Sequence, residues 1–212
     1  TAHYVLEHVV DPVDVLLRMR ALLKPSGRMF LSVPDVVANP GDLIVVDHLN
    51  HFTPRSLQTA LSLAGLEMLT LRRDLLPTAL VAIAAVGPGR PFDQPSHLTD
   101  IDALASLWDR ANASLNAKAV AHAGKRGAIY GAGVYGTWIA GLIRQQVQVE
   151  CFIDNSPHLQ GTMHLGIPIL APADLPQTTE VLFAGLNPHR ARAIVANTPA
   201  LSGRHLAIEY IG

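Results

Sequence analysis

A glycine-rich turn is the clearest chemical motif in the second half of this 212-residue chain. Gly131, Gly133 and Gly136 form a G-x-G-x-x-G pattern that follows a predicted strand and opens a predicted helix. Such glycines permit a tight turn, close approach of a phosphate to the helix N-terminus, and close packing of helix on strand. Asp154 ends the next predicted strand, about where an acidic residue would hold a ribose hydroxyl. The pattern indicates a βαβ unit that either binds a nucleotide or only builds the fold.

A second candidate group, Glu7 and His8, lies in the first apolar segment of the chain. Residues 4–10 are rich in β-branched and aromatic side chains and predict a buried strand that ends near Glu7 and His8. Ligands of open parallel sheets bind beyond the carboxyl ends of the strands. Glu7 and His8 are therefore candidates for a ligand site.

Alternating strands and helices must position these residues. The first part of the chain predicts helices after Asp11-Pro12 and Thr53-Pro54, a strand over residues 28–33, and an antiparallel pair over residues 66–72 and 79–86. The later part predicts a long helix over residues 99–122 and strands over residues 128–130, 149–153, 180–184 and 206–210, separated by helical segments. Strands that alternate with helices imply a parallel sheet with right-handed crossovers.

Proline and glycine set the domain boundaries. Three of the fifteen prolines fall within residues 87–95, a stretch that cannot continue a strand or a helix. We therefore expect a first domain over residues 1–86, a linker with a connecting helix over 87–125, and a second domain over 126–212.

Composition and charge exclude several classes of protein. The chain has 16 Lys+Arg, 17 Asp+Glu and a net charge of -1, with no basic run, so no nucleic acid partner is expected. Its longest apolar run, residues 79–86, is far below the ~18 to 20 residues that cross a bilayer, so no membrane association is expected. The single cysteine, Cys151, excludes an intrachain disulfide and a multi-cysteine zinc site, and predicts a reducing, cytoplasmic location.

Four fragments of the first domain resemble the carboxyl-terminal half of class I S-adenosylmethionine-dependent methyltransferases. They are VLEHV at 5–9, LLKPSGR at 22–28, SVPD at 32–35 and DHLNHFT at 47–53. The second domain more loosely resembles the nucleotide-fold domain that ends sugar C-methyltransferases, a unit also found in nucleotide-sugar dehydratases and sugar acyltransferases. The implied fold class is α/β, with a partial class I methyltransferase sheet followed by a small Rossmann-like parallel-sheet domain.

This resemblance implies roles for several residues. Glu7 and His8 would line the cleft for cofactor and substrate. His51, and after it His48 and His8, would be the base near the methyl acceptor, a task that suits histidine because its ordinary pKa of ~6.5 lets it accept a proton near neutral pH. The alternative for His51 is an anchor that hydrogen-bonds the backbone beside Phe52.

The resemblance also implies what lies outside the chain. The family's first three strands, which grip S-adenosylmethionine, should precede Thr1, so we expect an incomplete cofactor site in an enzyme fragment. The sugar enzymes carry a cysteine-rich zinc region that this sequence lacks, so no metal is expected. A strand at residues 3–9 that lacks its neighbours would expose an unpaired edge, and we expect self-association through it.

Two functions of different classes stay open. One is methyl transfer from S-adenosylmethionine to a small-molecule acceptor, for which a nucleotide-linked sugar is one option. The other is a nucleotide or nucleotide-sugar binding module without methyltransferase activity, whose working site is the turn at residues 131–136 with Asp154. A third possibility is that neither site works in this chain.

Overall fold

The computed structural model describes residues 1–89 and 98–212. They belong to two compact units, Thr1–Asp102 and Ala103–Gly212. Each unit has its own sheet packed with helices, and the predicted α/β fold class is confirmed. The proline-rich part of the expected linker, residues 90–97, lies outside the described residues. None of the helices that the structure describes is both long enough and apolar enough to span a membrane.

The first unit is built on a mixed sheet. Its described elements are β1 (Ala2–His3), α1 (Pro12–Ala21), β2 (Met29–Pro34), α2 (Pro54–Leu63), β3 (Leu66–Arg72) and β4 (Ala79–Val86), with a 3-10 turn at Pro40–Ile44. The strand order is β1-β2-β4-β3, with β1 parallel to β2 and the other pairs antiparallel. Both helices, strand β2 and the antiparallel pair confirm the predictions from the sequence.

Local signals explain where the two helices begin. The Asp11 side chain accepts hydrogen bonds from the first-turn N–H groups of α1, and Thr53 forms a capping box with Ser56 at the start of α2. Both helices have proline in their first turn. They bury Leu16 and Leu57 completely against the sheet, so apolar burial fixes the helices on the sheet once the caps have set their first turns.

The first strand is shorter than predicted. Strand β1 covers only Ala2–His3, and the chain turns at Tyr4, whose φ is 51°. The side chains of Tyr4 and Val5 are 45% and 39% exposed, whereas Leu6 is buried. The prediction of a strand that runs to Glu7 and His8 is therefore wrong, because β-branched composition does not exclude a turn held by distant contacts. Self-association through residues 3–9 stays a prediction.

The second unit is built on a largely parallel sheet. Its elements are most of α3 (Leu98–Ala121), β5 (Arg126–Tyr130), α4 (Val134–Ile143), β6 (Gln148–Ile153), β7 (Met163–His164), β8 (Ile167–Leu170), β9 (Val181–Ala184), α5 (Pro188–Ala196) and β10 (Ala207–Tyr210). The strand order is β10-β9-β5-β6-β8-β7, and only the short β7–β8 pair of this sheet is antiparallel. The four strands predicted for this part are confirmed.

Helix α3, expected as a connecting helix, also packs in the core of the second unit. Its residues Ala111, Leu115 and Ala119 are buried in one cluster with Ile129 of β5 and Phe183 of β9. The helix therefore covers one face of the second sheet, and its apolar stripe belongs to the core of that unit.

Candidate functional site

Two loops of the first unit meet at one edge of its sheet. Strands β1 and β2 run parallel, so the segments that follow them leave the sheet on the same side. Glu7 and His8 follow β1, and the segment after β2 contains residues 45–52, which we call the histidine loop. The main-chain N–H groups of Leu49 and Asn50 donate to the carbonyl oxygen of Glu7 at 2.7 and 3.0 Å. The backbone itself therefore holds Glu7 beside the histidine loop.

Asn50 strengthens this junction. Its Nδ2 donates to the carbonyl oxygens of Leu6 at 3.1 Å and Val9 at 2.6 Å. One side chain thus satisfies two carbonyl groups of the turn that contains Glu7. Sequence reasoning missed Asn50, because its partners lie more than forty residues away along the chain.

Asp42 joins two of the predicted histidines. The 3-10 turn places its carboxylate in the interior, where the residue is 1% exposed. Nδ1 of His48 donates to Oδ1 of Asp42 at 2.6 Å, and Nδ1 of His51 donates to Oδ2 at 2.7 Å. In the neutral form of each ring the proton is therefore on Nδ1 and the lone pair is on Nε2. Asp42 was also missed, and the signal for it was an aspartate six and nine residues before two histidines.

Glu7 is the least satisfied residue of this group. It is completely buried, and neither of its carboxylate oxygens has a hydrogen-bond partner within the described part of the chain. Burial raises the pKa of Glu7, because desolvation of its carboxylate outweighs the lowering effects of its own backbone N–H and of His8 and His48. A buried carboxylate without partners calls for a proton or a cation close by.

His8 stands between Glu7 and the histidine loop. Its Nδ1 lies 3.0 Å from the carbonyl oxygen of Asp47, and its Nε2 lies 4.0 Å from Oε1 of Glu7. Its ring meets the ring of His48 edge to face, with 4.8 Å between centroids. The structure therefore brings together four residues that the sequence predicted for a site: Glu7, His8, His48 and His51.

A pocket opens beside His51. Its volume is about 370 Å³, and its lining includes Pro12, Asn50, His51, Phe52, Ser56, Thr59 and Leu63. The His51 side chain is 28% exposed and that of His48 is 14% exposed. Of the two histidines that Asp42 holds, His51 is the one placed to meet a small molecule in this pocket.

The glycine-rich turn forms a separate group in the second unit. Gly131 has a φ of 96°, and a Cβ on Gly136 would lie 1.9 Å from the carbonyl oxygen of Gly131. These two glycines are therefore required by the close approach of the turn and helix α4. A Cβ on Gly133 would meet no atom within 4 Å, and Gly133 caps α4 without a side-chain hydrogen bond. Gly133 is thus the glycine that leaves space for a ligand.

Asp154 holds this turn from within. Its Oδ2 accepts the N–H of Ala132 at 2.9 Å, and its Oδ1 accepts the N–H of Ser156 at 2.8 Å. The carboxylate therefore ties the end of β6 to the glycine-rich turn, a structural role that the motif alone did not reveal. Each oxygen retains a further lone pair for a hydroxyl donor.

Comparisons with known proteins gave one family match, which lies in the first unit. Residues 1–71 match a family model described as a methyltransferase domain, which supports a methyltransferase domain in this unit. The match includes Glu7, His8, Asp42, His48 and His51. No curated protein matches the chain. One matching solved structure is UDP-D-quinovosamine 4-dehydrogenase from Vibrio fischeri, with 23% identity over 42% of this chain and 78% of that chain, and a TM-score of 0.35.

Proposed function

We propose that the first unit serves methyl transfer from S-adenosylmethionine to a small-molecule acceptor, with His51 as the base on the acceptor side. The observation that carries this proposal is that His51 is oriented by a buried carboxylate and lines a pocket of about 370 Å³. The methyltransferase match over residues 1–71 supports the reaction class.

The geometry of His51 suits proton removal. Its Nδ1–H is held by Asp42, so Nε2 is the atom left to accept a proton from the acceptor. The negative charge of Asp42 stabilises the imidazolium that results. Asp42 also orients His48, but His48 is less exposed, and we assign it second place as a base.

Fewer residues of this chain are available to contact S-adenosylmethionine. S-adenosylmethionine would supply a methyl group that the acceptor displaces in line from the sulfonium. The carbonyl of Glu7 already accepts two N–H groups and its carboxylate is buried, so His8 is the side chain of this pair that can touch a bound ligand. The chain's own contribution in this proposal is to hold the acceptor and to take its proton.

The pocket lining favours an acceptor of mixed polarity. Pro12, Phe52 and Leu63 supply apolar surface, while Asn50 and Thr59 supply polar groups. Sugars present the same mixture of C–H faces and hydroxyl groups. A nucleotide-linked sugar is therefore the acceptor class that we propose.

The experiment measures transfer of radiolabelled methyl groups to nucleotide-linked sugars. Two proteins are assayed: the chain of residues 1–212 and the protein encoded by the complete gene. We expect His51→Gln to lower kcat by about 10² to 10⁴-fold, the usual contribution of a general base. His158→Gln is the matched control, because His158 is an exposed histidine of the second unit. Full activity of His51→Gln would contradict the assigned base, and absence of both transfer and S-adenosylmethionine binding in both proteins would contradict the function.

A second candidate function belongs to the other unit. We propose that the turn at residues 131–136 binds the phosphate of a nucleotide, because the space over Gly133 is open and α4 begins there without a side-chain cap. Gly133→Ala should keep the fold and lower the affinity for ADP or UDP at least about tenfold, since its methyl group would stand where a phosphate approaches. Gly141→Ala, also in open space, is the matched control. Equal nucleotide affinity of the two variants would contradict this site.

A further inference from the structure

Three side chains of the first unit converge around a carboxylate that has no hydrogen-bond partner in the described residues. Glu7, His8 and His48 each offer a donor atom, and these atoms all lie within 4.8 Å of one another. The carboxylate of Glu7 is completely buried and has no hydrogen-bond partner among the groups that the structure describes. Its contact with Nε2 of His8, at 4.0 Å, is too long for a hydrogen bond. A buried carboxylate left in this state is costly, so it marks the place of a positive partner.

Both histidines are arranged as metal ligands are. Nδ1 of His48 donates to the Asp42 carboxylate at 2.6 Å, and Nδ1 of His8 donates to the carbonyl oxygen of Asp47 at 3.0 Å. Each Nε2 therefore has a free lone pair. In metal sites the ligating histidine usually donates its other ring N–H to a carboxylate or a carbonyl, which fixes the ring and makes it a better donor.

We propose that Glu7, His8 and His48 bind a divalent transition-metal ion. One carboxylate and two imidazoles form a donor set that suits Zn²⁺, with a coordination position left for water or a ligand. Ligands at about 2.0 to 2.2 Å from zinc lie about 3.3 to 3.6 Å apart in a tetrahedral site. The 4.0 Å between Glu7 and His8 needs only a small movement, which the partly exposed ring of His8 can make.

This inference does not depend on methyl transfer. The sequence predicted no metal because it lacks the cysteine-rich zinc region of the sugar enzymes, but a set of histidine and glutamate ligands needs no cysteine. Asp42 would then orient a metal ligand, His48, with one oxygen and His51 with the other. Asp42 is a positioning residue in this site, since it touches His48 and not the ion.

The test titrates the metal-free 212-residue chain with Zn²⁺ by calorimetry and with Co²⁺ by visible absorption. We expect one ion per chain, with Co²⁺ bands typical of coordination by nitrogen and oxygen. His48→Gln and Glu7→Gln should each weaken binding by more than about 100-fold, and Asp42→Asn by about 10 to 100-fold, as removal of an outer partner usually does. His158→Gln, which alters an exposed histidine of the other unit, should bind like the parent.

Variants of the buried residues must be shown to fold, by circular dichroism and a cooperative melt. If the variants of the buried residues do not fold, His8→Gln still tests the site. The His8 side chain is 39% exposed, so its loss should not disturb the core. Added Zn²⁺ should raise the Tm of the parent and leave that of His8→Gln nearly unchanged. No stoichiometric binding by the parent, or equal binding by His8→Gln, His48→Gln and His158→Gln, would overturn the proposal.

Discussion

The buried carboxylate of Asp42 accepts a hydrogen bond from Nδ1 of His51 at 2.7 Å, while its other oxygen serves His48. One aspartate in a 3-10 turn therefore sets the proton positions of two rings in the histidine loop. The open atom of each ring is Nε2, and the two rings have different surroundings: His51 lines the pocket, and His48 lies beside Glu7 and His8. The Asp42 carboxylate therefore contributes both to the stability of the fold and to the orientation of two candidate functional histidines.

Asp42→Asn should lower the free energy of unfolding by about 1 to 3 kcal/mol, because an amide NH₂ cannot accept the hydrogen bond that one of the histidines donates. Urea denaturation of the whole chain measures this change. Asp47→Asn is the matched control: the Asp47 side chain is 74% exposed, so its loss should change the free energy by less than about 0.5 kcal/mol. Equal stability of the two variants would show that the buried hydrogen bonds contribute little.

Asn50→Ala should loosen the junction between the histidine loop and the turn that contains Glu7. Two carbonyl oxygens, those of Leu6 and Val9, would lose their donor, at a cost of about 1 to 3 kcal/mol for the groups left unsatisfied. Hydrogen exchange should quicken at the N–H of Leu49, which bonds to Glu7. Asn116→Ala, an exposed change in α3, should neither lower the stability nor quicken this exchange, since alanine is a good helix former.

Local sequence signals predicted most helices and strands, whereas features that depend on contacts between distant residues could not be predicted. The proline caps at Thr53-Pro54 and Asp11-Pro12 act within one turn, and strands β5, β6 and β9 of the second unit contain runs of consecutive buried apolar residues, so short patterns suffice for them. The turn at Tyr4 is different. The carbonyl of Glu7, in the segment after this turn, accepts bonds from Leu49 and Asn50, and no pattern near residue 4 can reveal such distant contacts.

The candidate site divides in the same way. The histidines and Glu7 were predicted because their residue types are chemically distinctive and follow recognisable fragments. Asp42 and Asn50 were missed, because an aspartate or an asparagine in a polar loop is common and only the folded chain shows what it contacts. Asp154 contacts the glycine-rich turn in the structure, and their role in binding a ligand stays a prediction. The bond from Ala132, which gives Asp154 a structural role, was not predicted.

Two glycines of helix α4 should respond oppositely to alanine. Gly136→Ala would place a Cβ 1.9 Å from the carbonyl oxygen of Gly131, so we expect loss of at least about 3 kcal/mol or failure to fold. Gly141 has open space around it, and Gly141→Ala should add about 0.5 to 1 kcal/mol by restricting the unfolded chain. Thermal and urea melts distinguish the pair, and a stable Gly136→Ala variant would mean that the turn and the helix are farther apart.

Cys151 gives a test of the second core that depends on pH. The thiol is 1% exposed, and its pKa is raised to about 11, mainly by burial and to a smaller extent by the charge of Glu150, while the charge of Arg204 partly opposes the rise. The native thiol should therefore resist iodoacetamide at pH 8.5, whereas the thiol of the urea-unfolded chain should react readily.

The same pKa shift predicts how stability changes in alkali. Between about pH 9 and 11 the unfolded chain loses the Cys151 proton while the folded chain keeps it, so the unfolded state binds fewer protons and the free energy of unfolding falls as pH rises. Cys151→Ala removes this effect. Relative to the parent, the variant should gain up to about 2 kcal/mol between pH 8 and pH 11, measured by urea denaturation at each pH. A difference between the two proteins that stays constant over this range would mean that Cys151 ionises as easily when folded as when unfolded, and that the face of β6 that carries it is open to water.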